Sequence, residues 1–161
     1  MNDEFIPYFE DESSKLRPGL PIVERKTINA ILWDSATHEV LCLAWKKYGW
    51  RTFIVGGVEE GESTIFAALR EIREETGYTD IDLITGLGSL CSGYFAAHKG
   101  ENRVAHVTGL LFELRTDERV VVPNVDLLPH TFCWVPVPDV HAFINLSAHR
   151  YLWELAQGYL A

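Results

Sequence analysis

GGVEEGESTIFAALREIREETGY, residues 56–78, is the stretch around which the rest of this chain is arranged. A double glycine opens a turn, and Gly77 stops the helix that follows. At about 100° per residue, the apolar side chains of that helix fall on one stripe, which we expect to pack against a sheet. The stripe consists of Ile65, Ala68, Leu69 and Ile72.

Three carboxylates, Glu71, Glu74 and Glu75, share the neighbouring sector of the same helix. Like charges at this spacing destabilise an isolated helix by about 0.2–0.5 kcal/mol per close pair, and the macrodipole disfavours negative charge near a C-terminus. A bound hard cation would explain the cluster, because magnesium and manganese prefer oxygen ligands. Small residues one turn earlier, Thr64 and Ala67, would leave room for a ligand. The alternative is a solvated acidic face.

Arg70 lies between these carboxylates and the other flank of the helix, where it can pair with Glu62 or with Glu71. A guanidinium in that position would fix the orientation of a carboxylate.

Composition limits the classes of function. The chain has 161 residues, enough for one domain, and a formal charge of −9 from 14 basic and 23 acidic residues. This negative charge argues against broad nucleic-acid binding and against binding to an anionic membrane surface. No apolar run approaches the roughly 20 residues that span a bilayer, and the acidic start MNDEF lacks a signal-peptide pattern. We therefore expect a cytoplasmic protein without membrane contact, in which Cys42, Cys91 and Cys133 are buried and unbridged.

The pattern predicts a single domain over residues 22–161, preceded by an N-terminal arm over residues 1–21 that is lightly ordered or lies along a sheet edge. Strands are expected where β-branched and apolar residues concentrate, the first two as a hairpin and the strand at 103–114 in a central position. Ser147 is expected to cap a final helix, so that two helices flank one mixed sheet. The predicted strands are 26–33, 40–45, 52–55, 80–90, 103–114 and 132–135.

Two segments offer side chains for a substrate. Residues 45–51 interleave aromatic and basic residues around a glycine, which can stack a base and meet phosphate charge, or can form a hairpin loop whose aromatics cover the core. Residues 91–102 are predicted to form a loop with aromatic, basic and amide groups. The candidate substrate-binding residues are Lys46, Trp50, Arg51, Tyr94, His98, Arg103 and His106.

Residues 56–78 resemble the signature of the Nudix family at every fixed position. That pattern is a glycine, five residues, a glutamate, seven residues, then arginine, glutamate and an aliphatic residue. One residue later come two glutamates, and after another a glycine and a bulky apolar residue. The matching residues are Gly56, Glu62, Arg70, Glu71, Ile72, Glu74, Glu75, Gly77 and Tyr78. Many members have a proline before the double glycine, where this chain has Val55.

The resemblance implies an α/β fold of the Nudix type, an α/β/α sandwich with a central mixed sheet. It also implies a pyrophosphohydrolase that acts on a small-molecule nucleoside diphosphate derivative with Mg²⁺ or Mn²⁺, and an assembly into homodimers, which family members often form. Carried over residue by residue, the implied metal ligands are Glu71, Glu74 and Glu75, with the carbonyl of Gly56 or Gly57. The implied catalytic residues are Glu71, Arg70 and Glu62, the last two as supports of the helix.

The general base and the substrate stay open at this point. A base must take a proton from the attacking water; Glu71 is one candidate, and the resemblance adds Glu113, Glu118 or Asp126, because some members use a later glutamate. Tyr94, about 16 residues beyond the signature, is similar to a tyrosine associated with dinucleoside polyphosphate hydrolases. The chain also resembles Nudix modules of some bacterial leucyl-tRNA synthetases in its Ala-His-Lys run followed by Asn-Arg.

A second class of function is a Nudix-fold module that holds a nucleotide or a protein partner without hydrolysis. The complete acidic set favours the enzyme, because catalytically silent members commonly lose these glutamates.

Overall fold

A computed structural model describes residues 5–160, so residues 1–4 of the predicted arm and residue 161 of the predicted domain lie outside it. Its strands are β1 (Tyr8–Glu10), β2 (Ile22–Asp34), β3 (Glu39–Trp45), β4 (Arg51–Thr52), β5 (Ile54–Gly57), β6 (Ile81–Ala96), β7 (Glu101–Leu114) and β8 (His130–Pro136). Its α-helices are α1 (Thr64–Thr76), α2 (Val140–Phe143) and α3 (Ser147–Gln157).

The strands form one mixed sheet in the order β1-β6-β7-β2-β3-β4, with β5 paired to β2 and β8 paired to β3. The pairs β1–β6 and β2–β7 are parallel, whereas the other pairs are antiparallel. The predicted hairpin of β2 and β3 and the central position of β7 are therefore confirmed.

The sheet is covered on both faces, which confirms the predicted α/β sandwich. Alternate residues of a strand point to opposite faces, so Ile28 and Ala30 of β2 pack on the side of α1, whereas Ile31 and Trp33 pack on the side of α3. Each face has its own apolar core, and the strands between them carry apolar residues on both sides.

Helix α1 ends at the predicted Gly77, and Ala68, Leu69 and Ile72 of its predicted apolar stripe pack into the core as expected. The hydroxyl of Ser63 accepts the N–H of Phe66 at 3.1 Å and caps the start. Ile65 is 41% exposed, whereas Ala67 is fully buried, so the expectation that Ile65 packs and that Ala67 leaves room for a ligand is wrong. The physical reason is that the small side chains of Ala67 and Ala68 let the helix approach the sheet closely, which rotates the buried face toward the carboxylates.

Gly77 ends α1 with φ 85°, and a Cβ added there would overlap the carbonyl oxygen of Val120. Gly77→Ala should therefore lower the free energy of unfolding by about 2–5 kcal/mol, the sum of left-handed strain and overpacking. Gly61 is the matched control, because it has φ 77° and no atom within 4 Å of an added Cβ. Gly61→Ala should cost only about 1–2 kcal/mol in urea unfolding; equal losses in both variants would show that the contact with Val120 costs nothing.

The described part of the N-terminal arm is an ordered sheet edge. Tyr8 of β1 pairs with Cys91 of β6. The carboxylate of Asp11 accepts hydrogen bonds from the backbone N–H of Ser147 at 3.1 Å and from its hydroxyl at 3.0 Å. The N-cap position of α3 is Leu146 rather than the predicted Ser147, and its side chain makes no cap. Asp11 supplies the cap from a distant part of the chain, which sequence-local reasoning does not detect.

The predicted loop at 91–102 is also wrong. Strand β6 continues to Ala96 and β7 starts at Glu101, which leaves a tight turn at 97–100. The small residues of this segment serve strand packing: a Cβ at Gly93 would overlap the hydroxyl of Tyr8 on the neighbouring strand. Tyr94 and Arg103 consequently face each other as a cross-strand pair.

The structure bears on two expectations drawn from composition, one about membrane-spanning segments and one about the cysteines. Among residues 5–160, no helix has the length and apolar character needed to cross a membrane. The three cysteines are unbridged, but only Cys42 is buried, while Cys91 is partly buried and Cys133 is exposed.

His149 of α3 is buried and predicts a pH dependence of stability. Its Nδ1 accepts the N–H of Phe53 at 3.3 Å, and burial lowers the pKa of the ring from 6.5 to about 3. Between these two values the unfolded chain binds one proton more than the folded chain, so stability present above pH 6.5 is lost as the pH falls toward 3. This group alone contributes a slope of about 1.4 kcal/mol per pH unit. The free energy of unfolding of His149→Gln, measured against pH, should lack that slope; parallel curves for the two proteins would contradict the prediction.

Candidate active site

The backbone of β5 and the side chains of α1 meet at Gly56. A Cβ added at Gly56 would overlap the Cγ and Cδ atoms of Glu71, so the Glu71 side chain lies directly against the glycine backbone. Gly57 is less crowded, since the nearest atom to an added Cβ is an Arg25 nitrogen at 3.6 Å. The first glycine is thus required for close approach, and it brings its peptide group beside the carboxylate.

Arg70 joins the residues predicted to support the helix. Its Nε and Nη2 donate to the two oxygens of Glu62 at 2.8 and 2.9 Å, a bidentate pair. Nη1 donates to Oε1 of Glu71 at 2.9 Å, and Nη2 also donates to the carbonyl of Gly57 at 3.0 Å. The hydrogen bond from Arg70 lowers the pKa of Glu62 to about 2. The Arg70 guanidinium therefore links Gly57 of β5, Glu62 of the loop and Glu71 of α1. It bonds only to Oε1 of Glu71 and leaves Oε2 of that carboxylate unbonded to Arg70.

Glu75 points into the protein toward a residue that sequence reasoning missed. It is only 9% exposed, and its Oε1 lies 3.3 Å from Nε2 of His130 at the start of β8. The other oxygen, Oε2, is buried and has no hydrogen-bond partner within residues 5–160. No local signal marks His130, because it is far from Glu75 in the chain and reaches it only through the pairing of β8 with β3.

The electrostatics of the site favour the binding of a cation. Burial raises the pKa of Glu71 to about 7, and the nearby charge of Glu75 adds to the effect. Burial likewise raises the pKa of Glu75, against the opposing effect of His130. Both shifts mean that negative charge is costly here without a further cation.

The donor set fits a hard divalent cation. Glu74 is 58% exposed and contacts only the edge of Arg70, at 3.3 Å, while Glu75 turns toward His130. In the described part of the chain, no three acidic, histidine or cysteine side chains are therefore already gathered around one point. However, the three glutamates share one helix end, and the buried oxygen of Glu75 lacks a partner. Oxygen donors of this kind are what Mg²⁺ and Mn²⁺ prefer.

A cavity of about 560 Å³ opens beside the double glycine, on the face of the sheet that carries α3. Four of the predicted substrate-binding residues line it: Trp50, Tyr94, His98 and Arg103. Its walls also include Trp45 and Tyr48, which belong to the loop whose aromatics were expected either to stack a base or to cover the core, and its floor includes Arg25 and Asn29 of β2, which sequence reasoning missed. Asn29 could have been noticed as the one polar residue between Ile28 and Trp33, whereas Arg25 lies in a run of polar residues from Glu24 to Thr27 and carries no such signal.

The aromatic residues of the loop at 45–51 fit both interpretations made from the sequence, which were a stacking surface for a base and a cover for the core. Tyr48 stacks on Trp50 with ring centroids 4.7 Å apart, and Trp45 meets Trp50 edge to face at 5.9 Å. The indole N–H of Trp45 donates to the hydroxyl of Thr52 at 3.0 Å. These contacts build a stiff aromatic wall that is part of the fold and faces the cavity.

Three predicted substrate-binding residues lie outside the cavity lining. Lys46 donates to the carbonyl of Asp126 at 3.0 Å. Arg51 packs over the ring of Phe143 at 5.2 Å. His106 lies on the surface, where its Nε2 is 3.2 Å from a carboxylate oxygen of Glu24.

The four candidate general bases lie in different parts of the structure. None of the four candidates lines the cavity, but Glu71 packs against Gly56, which does. Glu113 accepts a hydrogen bond from Ser35 at 2.7 Å near the far end of β7. Glu71 is therefore the candidate whose side chain lies against the double glycine.

Comparison with known proteins agrees with this geometry. A model of the NUDIX domain matches residues 23–155 of the chain. A comparison with curated proteins gives no match.

Several solved structures have the same fold. An Ap4A hydrolase from C. elegans is 21% identical with a TM-score of 0.64, over 86% of this chain and 100% of that one. The E. coli dihydroneopterin triphosphate pyrophosphohydrolase is 21% identical with a TM-score of 0.61, over 82% and 95%. The NUDIX domain of Shewanella oneidensis NrtR, crystallised with ADP ribose, is 19% identical with a TM-score of 0.58, over 86% and 90%. At these identities the likeness concerns the fold.

Proposed function

The chain belongs to the Nudix family and is a hydrolase of phosphoric anhydride bonds, and on that premise we propose that it cleaves a nucleoside diphosphate derivative with a divalent cation held by α1. The observation that carries the proposal is the contact of Glu71 with Gly56, which lines a cavity with an aromatic wall, while Glu74 and Glu75 share the helix end that carries Glu71.

The glutamates of α1, with the carbonyl of Gly56 or Gly57, would hold Mg²⁺ or Mn²⁺. When bound, such an ion neutralises the diphosphate oxygens and lowers the pKa of a bound water. Arg70 keeps Oε1 of Glu71 occupied, so that Oε2 stays available to accept a proton from the attacking water. Glu62 keeps Arg70 in place through two hydrogen bonds. Arg25, close to Gly57, adds a positive charge where the diphosphate would lie.

The cavity supports a substrate with an aromatic ring and several phosphates. The wall of Trp45, Tyr48 and Trp50 offers surface for stacking. Arg25 and Arg103 lie on the floor and can meet phosphate charge. An NTP, a dinucleoside polyphosphate and a nucleotide sugar all meet this description.

The test is hydrolysis of a panel of such compounds with Mg²⁺ or Mn²⁺, followed by a phosphatase and detection of phosphate. We expect turnover of at least one compound and none when a chelator removes the metal. A folded, metal-loaded protein that turns over no panel member would instead support a Nudix-fold binding module.

The proposal includes a cytoplasmic location and a homodimer. The three unbridged cysteines support a reducing compartment. Sedimentation of the purified protein tests the assembly, which stays a prediction.

A further inference from the structure

Asn29 lies on the floor of the cavity, in the middle of β2. Its backbone pairs with Gly109 of β7 on one side and with Val55 of β5 on the other. The side chain is therefore free of any role in the strand ladder. It belongs to a residue that is only 4% exposed, and that small exposed fraction faces the cavity.

The side-chain amide of Asn29 makes no hydrogen bond within residues 5–160, and its polar atoms are not among the fully enclosed ones that lack a partner, so they border the space of the cavity. Water in the cavity can bond to this amide, and a ligand that displaces such water loses affinity unless it reproduces those hydrogen bonds. Ile31, two residues later on the same face, shows that an apolar side chain suits this side of the strand. The amide of Asn29 has no partner in the folded chain and is consequently available to a ligand whose own groups complement it.

The surroundings of Asn29 indicate the chemistry of that ligand. An asparagine amide presents one donor and one acceptor side by side, and it pairs with a ring edge that offers the complementary two groups. Trp45 and Trp50 line the same cavity and offer flat apolar surface. Arg25 lies four residues earlier on the same face of β2, about 13 Å along the strand, beside Gly57. A ligand with its ring at Asn29 and its phosphates at Arg25 would therefore extend along β2, and a nucleotide has its ring and phosphates at opposite ends in this way.

We propose that Asn29 is the specificity-determining residue of the cavity, and that it binds a planar heteroaromatic ring whose edge presents a donor next to an acceptor. This inference rests on the proposed function and deepens it, because it assigns the recognition of the ring to one side chain.

The experiment measures binding without a divalent cation, by quenching of tryptophan fluorescence. The probes are AMP, GMP, CMP and UMP, together with purine riboside 5′-monophosphate, which keeps the ring area but has no donor on its edge. The wild-type protein should bind at least one of the four about tenfold more tightly than purine riboside monophosphate. In Asn29→Leu that ratio should fall to within about twofold of unity, while the affinity for purine riboside monophosphate is kept.

Stability provides the matched control. Asn102 is also a buried asparagine, but its side chain accepts the N–H of Arg17 at 2.9 Å and donates to the carbonyl of Arg17 at 2.7 Å. Asn102→Leu should lower the melting temperature by several degrees. Asn29→Leu should leave it unchanged or raise it, because no hydrogen bond is lost.

Two binding results overturn the proposal: an unchanged ratio of affinities in Asn29→Leu, or a wild-type protein that binds none of the four nucleotides at millimolar concentration. A lower melting temperature in Asn29→Leu than in Asn102→Leu also overturns it, since that would make Asn29 a structural residue. Because no cation or turnover is involved, failure of the hydrolysis panel leaves these outcomes unaffected.

Discussion

Replacing Glu74 by glutamine should lower kcat/KM with Mg²⁺ by about 100-fold or more, which is a loss of about 2.7 kcal/mol in transition-state stabilisation. Glutamine keeps the size of the side chain but removes the charge that would hold the cation. Glu74 is 58% exposed and makes one long contact, to Arg70 at 3.3 Å, so the fold should not depend on it. Its removal even relieves the repulsion among three like charges at the helix end.

The matched control is Glu154→Gln, the same chemical change at an exposed position of α3, on the opposite face of the sheet. Steady-state kinetics should show no change for the control, and urea unfolding should show both variants as stable as the wild-type protein. If Glu74→Gln turned over substrate at the rate of the control, the assignment of the cation site to α1 would be wrong.

Replacing Gly56 by alanine should disrupt the site from the strand side. The added Cβ would overlap the Glu71 side chain, so either the strand or the carboxylate must move. We expect a fall in kcat/KM of about 100-fold, because small displacements of catalytic groups are costly. We also expect a loss of about 1–3 kcal/mol in the free energy of unfolding from overpacking.

Gly57→Ala is the control for that variant. Its Cβ would meet the Arg25 guanidinium at 3.6 Å, an ordinary contact with the end of a flexible side chain. Gly56 and Gly57 are adjacent in the chain, and the carbonyl of either one could bind the cation. A loss of activity confined to Gly56→Ala would therefore report the contact with Glu71, whereas equal losses would show that any side chain in this turn is harmful.

The signature stretch was the most predictable part of the molecule. Helix periodicity, the stop at Gly77 and the spacing of the glutamates are all properties of residues close together in the chain. The pairing of Arg70 with Glu62 and Glu71 follows from that spacing too. Strand positions were predictable where β-branched and apolar residues alternate, as in β2 and β7.

The errors share one physical origin, which is contact between distant segments. Strand β6 extends through small residues because β1 packs beside them, with Gly93 against Tyr8. Helix α3 receives its cap from Asp11, 136 residues earlier. Lys46 and Arg51 occur in a suitable loop, yet their partners Asp126 and Phe143 draw them away from the cavity.

By itself, the sequence determined the family, the sheet with its two flanking helices, and the carboxylate cluster on α1, because each depends on local spacing and periodicity. Only the tertiary structure decided which side chains line the cavity. The pairing of β8 with β3 brings His130 to Glu75, and the approach of β2 and β7 beneath the loop of Trp45 and Trp50 encloses Asn29. Such juxtapositions arise from strand register and close packing across the whole chain, and no local pattern of residues encodes them.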